Sequence, residues 1–79
     1  MQAFAEAAEQ FAAIIRLDPH YSAAYHYLGQ AYAALGRRAE AAETFQRGIA
    51  IAETRGDLQT VKEIRVFLRR LHQSGEAEA

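Results

Sequence analysis

A shift of 34 residues lays Ala5-Glu6-Ala7-Ala8-Glu9-Gln10-Phe11 onto Ala39-Glu40-Ala41-Ala42-Glu43-Thr44-Phe45, with Gln10 against Thr44 as the one difference. Ile15 against Ile49 and Leu17 against Ile51 extend the match, while Ile14 stands against Gly48. Self-similarity at a fixed period of this length is the signature of a stacked architecture, in which each unit buries its apolar face against the next. Both copies are therefore expected to be the same helix of a repeating unit.

Spacing within the copies agrees. Phe4, Ala7, Ala8, Phe11, Ile14 and Ile15 recur every three or four residues and fall on one side of a helix over about residues 3–17. Asp18-Pro19 ends it, because proline pushes the preceding residue out of the α region. A second helix is predicted over about 22–35, with Tyr25, Leu28, Gly29 and Tyr32 in one stripe. Gly36 supplies the left-handed conformation that closes it. A third helix covers about 39–53. Asp57 then offers a carboxylate to the free amides opening a fourth helix, about 57–73, with Val61, Ile64, Phe67, Leu68 and Leu71 on one side. Residues 74–79 read as a frayed tail. The expectation is one all-α domain of about four antiparallel helices.

Composition narrows the class. The 79 residues include 18 alanines, one proline and no cysteine, so packing of helices rather than disulfides or thiolate metal sites must hold the chain. Nine basic against ten acidic residues give a net charge of −1, which provides no field for nucleic acid or an anionic membrane. The sequence after Met1 has neither a basic leader nor an apolar run of spanning length, and a soluble, cytoplasmic protein is predicted.

The stretch Leu17-Asp18-Pro19, Ala24-Tyr25-His26-Tyr27-Leu28-Gly29-Gln30-Ala31-Tyr32, Leu35-Gly36-Arg37, Ala41 and Phe45 resembles the tetratricopeptide repeat. Tyr25 stands where that family usually has tryptophan, Gly48 where it has a small alanine, and Glu53 where it has the closing proline. The resemblance covers about residues 3–53. It implies an α-solenoid fragment: the second helix of one repeat, a complete repeat over 22–53, and a fourth helix acting as a cap. Shifting Tyr25, Leu28, Gly29 and Tyr32 by 34 gives Gln59, Lys62, Glu63 and Val66, so the fourth helix lacks the signature on this register.

The family's ligand face lies on the first helix of each repeat. Here that implies a shallow peptide groove formed by Ala23, His26, Gln30, Ala33 and Ala34, with Tyr27 at its edge; His26 and Gln30 would supply hydrogen bonds. Two other surfaces compete. Lys62, Arg65 and Arg69 form a basic stripe on the fourth helix that could dock an acidic peptide, or simply be its solvated side. Phe4, Phe11, Ile14 and Ile15 of the first helix would, in a full repeat, pack against a preceding helix. Exposing even two of them forgoes about 1.5–3 kcal/mol each. A second copy of the chain, the rest of a longer array or a partner would cover them, unless the first helix tilts inward; self-association is the expectation.

No catalytic constellation is visible. His20 and His26 lack a carboxylate or second histidine at i+3 or i+4, His72 has a single carboxylate, Glu76, at i+4 and no third ligand beside it, and there is no phosphate loop or nucleophile beside a base. Glu6/Glu9 and Glu40/Glu43 recur with the repeat and read as a solvated helix face. The sequence therefore predicts a protein-protein interaction module without cofactor, metal or catalysis, binding a protein or peptide, a partner helix or its own copy. The competing reading is a structural cap of a longer repeat array.

Overall fold

Proline and two glycines set where the helices stop. The computed structural model, which describes the backbone of residues 2–78 and the side chains of 3–73, has α1 (Gln2–Leu17), α2 (Ser22–Ala34), α3 (Arg38–Arg55) and α4 (Leu58–Glu78). Gly36 and Gly56 take φ of 76° and 73°. Each lets the following amide reach back five residues, Arg37 N–H to Tyr32 O at 2.9 Å and Asp57 N–H to Ala52 O at 2.8 Å. α4 does not end at Gln73 as the sequence suggests. Gly75 lies within the helix rather than in a left-handed turn, and α4 continues to Glu78.

The repeat is visible in the packing. Ala8 of α1 is buried with Leu28 and Ala31 of α2, and Ala7, Phe11, Ile15, Tyr32 and Leu35 close around them. Ala41 and Phe45 of α3 are buried with Ile64 of α4, and Tyr32, Ile49, Phe67, Leu68 and Leu71 close around those. From α1 to α3 the counterparts are 34 apart. From α2 to α4 they are 36 apart: Ile64 follows Leu28, Phe67 follows Ala31, Leu68 follows Tyr32 and Leu71 follows Leu35. The 34-residue register expected for the fourth helix is thus wrong by two positions. On the observed register Val61 replaces Tyr25 and Arg65 replaces Gly29, and the apolar pattern is kept.

Two glycines let α2 and α3 touch. A Cβ on Gly29 would overlap the ring of Phe45, and one on Gly48 would lie 2.6 Å from Tyr25 Cβ and 2.9 Å from Ile64 Cδ1. Tyr25 fills the wedge and donates its hydroxyl to Pro19 O at 2.8 Å, which gives the buried phenol its partner.

The α1–α2 and α3–α4 loops are tied together. Ser22 Oγ donates to Asp57 Oδ2 at 2.8 Å, Thr60 N–H donates to Asp57 Oδ1 at 3.2 Å, and Arg55 Nη1 donates to His20 O at 2.9 Å. Asp57 is thus the cap of α4 that the sequence predicts and also an anchor for the start of α2. Hydrogen bonds from Thr60, then Ser22, hold its carboxyl below the ordinary 3.8. A carboxyl with a depressed folded pKa binds fewer protons folded than unfolded, so its contribution is complete above 3.8 and is lost as pH falls through the lowered value. Asp57→Asn is expected to lower Tm at pH 7 and to flatten the fall in Tm below about pH 4. Thermal melts at pH 7 and pH 3 would check this; an unchanged acid slope would remove Asp57 as its source.

Candidate functional site

The inward packing of α1 on α2 leaves one apolar groove at their open side. Phe4, Ala7 and Phe11 form its α1 wall, Tyr27, Gln30, Ala31, Ala33 and Ala34 its α2 wall, and Phe67 of α4 closes one end, around about 410 Å³. Phe4 is 45% exposed and Tyr27 48% exposed. Phe11 and Tyr27 stack at 5.4 Å between centroids, which fixes the orientation of the exposed phenol.

The groove merges two surfaces that the sequence keeps apart. Tyr27, Gln30, Ala33 and Ala34 of the expected peptide face line it, but so do Phe4 and Phe11 of the expected self-association face. Ile14 and Ile15 do not. Ile15 packs against Ala8, Leu28 and Ala31, and both isoleucines are half-buried, so α2 covers more of α1 than expected. Ala23 is half-buried and lies outside the groove walls. Phe67 was missed as a wall residue, because only the two-residue offset of α4 brings it opposite α2.

His26 is corrected outright. It is 7% exposed rather than presented to a ligand, because α4 leans over it. Its ring stacks with Tyr27 at 5.2 Å and meets the edge of Phe67 at 5.2 Å. Gln30 Nε2 lies 2.8 Å from His26 Nε2, so the two expected hydrogen-bonding groups satisfy each other. An Nε2 that accepts from Gln30 carries the imidazole proton on Nδ1, which faces Glu63 Oε1 at 3.8 Å. Burial lowers the histidine's pKa below 6.5, and Glu63 opposes that shift. The ring therefore backs Tyr27 from outside the groove walls.

Lys62, Arg65 and Arg69 are exposed along α4, as the sequence predicts. Arg65 Nη2 pairs with Glu53 Oε2 of α3 at 3.3 Å, an exposed pair that fastens α4 to α3. The recurring glutamates are solvated: Glu40 is bound by Arg37 at 2.6 Å and Glu43 faces Arg47 at 4.0 Å. Among the described residues no cluster of His, Asp and Glu could hold a metal ion, and no helix is long and apolar enough to cross a membrane.

Known proteins share this arrangement. A TPR repeat-containing protein of Pseudomonas aeruginosa is 45% identical over 65 residues, 82% of this chain and 62% of its own length. A solution structure of a Bordetella parapertussis protein superimposes with a TM-score of 0.87 at 41% identity, covering 96% of this chain and 66% of that one. The chain therefore spans somewhat less than two thirds of each relative. The family model of the tetratricopeptide repeat matches residues 1–63. With four antiparallel helices stacked by a repeated small-large pattern, this chain belongs to the tetratricopeptide-repeat family, whose general role is protein-protein interaction or scaffolding.

Proposed function

We propose that the chain is a protein-interaction module that receives an apolar segment of a partner protein in the groove between α1 and α2. The observation that carries this reading is the pair Phe4 and Tyr27, half exposed on facing walls of an apolar groove in so small a domain. Tyr27 is held by Phe11 and His26, so it loses little freedom on binding and offers both an apolar ring and a hydroxyl. The groove is far smaller than the ~1,600 Å² of a standard interface, so affinity is modest. No step of this role calls for catalysis.

A second role is supported by α4. Arg65 occupies the place of Gly29, so no helix can pack on α4 as α3 packs on α2, and the exposed Lys62, Arg65 and Arg69 suit the closing end of a repeat stack. The open groove at α1 and the closed face of α4 are compatible in one molecule.

Peptides selected against the protein from a random display library would test the reading. Tyr27→Asp is expected to weaken their binding about tenfold or more, the loss of ~1.4 kcal/mol or more, while Arg69→Glu leaves it unchanged. Binding that instead follows Lys62 and Arg69 would move the site to the basic stripe.

A further inference from the structure

The chain carries its own template for the occupant of the groove. α2 is seated on α3 and α4: Gly29 lies on Phe45, Tyr32 packs beside Ala41, and His26 meets Glu63 and Phe67. Moving back by 34 from α3 and by 36 from α4 turns Ala41, Phe45, Glu63 and Phe67 into Ala7, Phe11, Tyr27 and Ala31. All four line the groove. The groove is therefore the seat of α2 repeated one step earlier in the stack. We infer that its occupant is an amphipathic helix docked in the register of α2, with a glycine over Phe11 and a side chain no larger than alanine or serine facing Ile14.

This rests on the reading of the groove as an interaction site and states what fits it. The glycine follows from Gly29, since Phe11 presents the ring that Phe45 presents in α3. The second requirement follows from the break in the repeat at Ile14. α2 places Tyr25 against Gly48, where even a Cβ would come within 2.6 Å of Tyr25 Cβ. In α1 that position is Ile14. A tyrosine cannot occupy the same place there, so the large and small partners are exchanged. An unrelated apolar segment has no reason to obey either rule. The groove also continues an interface that the molecule already uses, and about a third of each relative lies outside the part matched by this chain.

The test places a second copy of His20–Gly36 directly before Ala3 of the complete chain, so that Gly36 of the copy leads into α1 as it does into α3. With Tyr25→Ala in the grafted copy, Tm is expected to rise by about 5–10 °C. The copy that keeps Tyr25 gives no rise, and Ile14→Gly in α1 restores the rise to that copy, relative to ungrafted Ile14→Gly. Phe4→Glu, at an exposed position that the fold tolerates, removes the rise. Equal gains from both grafts, or no gain from either, would overturn the inference. So would light scattering that shows the ungrafted chain as a dimer dissolved by Phe4→Glu, because a second copy would then be the occupant. Library peptides that depend on Tyr27 while no graft stabilises would leave the interaction role standing and dismiss only the helix.

Discussion

Phe45→Ala is expected to leave the protein largely unfolded near room temperature, with a loss of about 3–5 kcal/mol read from urea melts followed by circular dichroism. A domain of this length holds roughly 4–12 kcal/mol in total, and one without disulfide or metal sits at the lower end. Phe45 is 1% exposed, buried with Ala41 and Ile64, with its ring against Gly29 and 6.4 Å from that of Phe67. Removing it opens a cavity that three rigid helices cannot collapse to fill. Phe11 provides the control. It occupies the same place in the repeat, yet it is half-buried and faces the groove with Tyr27. Phe11→Ala is therefore expected to cost less than half as much. Equal losses would mean that the face of α1 is as fully covered as that of α3.

This pair shows what the sequence can and cannot state. The two phenylalanines follow nearly identical stretches, residues 5–10 and 39–44, so periodicity places both on a helix face and predicts both as packing residues. Their difference is tertiary: α3 has helices on both sides and α1 has one. Features decided within a few residues were legible, including the Asp18-Pro19 stop, the left-handed Gly36 and the Asp57 cap. Those that need the relation between distant elements were not. α3 runs four residues past the counterpart of Leu17 while its loop to α4 is two residues shorter than that between α1 and α2, so α4 moves to a 36-residue register, and this conceals Val61, Ile64 and Leu68 as the counterparts of Tyr25, Leu28 and Tyr32. The same offset brings Phe67 and Glu63 over His26, so a residue on the outer side of α2 becomes buried. Ile14 against Gly48 was plain in the sequence as an exception. Its meaning waited for the contact of Gly48 with Tyr25.

Gly29→Ala sets two principles against each other and lets a cycle decide. Alanine in the middle of a helix is worth up to about 1 kcal/mol over glycine, so propensity alone predicts a more stable protein. At Gly29 the added Cβ overlaps the ring of Phe45, which is 1% exposed and has no free side toward which to swing. Overpacking of this kind costs about 1–3 kcal/mol and forces the backbones of α2 and α3 apart, which also loosens Gly48 from Tyr25. The expected net change is a loss of about 1–2 kcal/mol, a fall in Tm of roughly 5–15 °C. In a Phe45→Leu background the ring is gone and the methyl group has room. Gly29→Ala should there be neutral or slightly stabilising, with a coupling energy between the two positions of about 1–3 kcal/mol. Additive effects would show that the penalty at Gly29 comes from its own backbone rather than from Phe45, and the close approach of α2 and α3 would no longer explain the glycine.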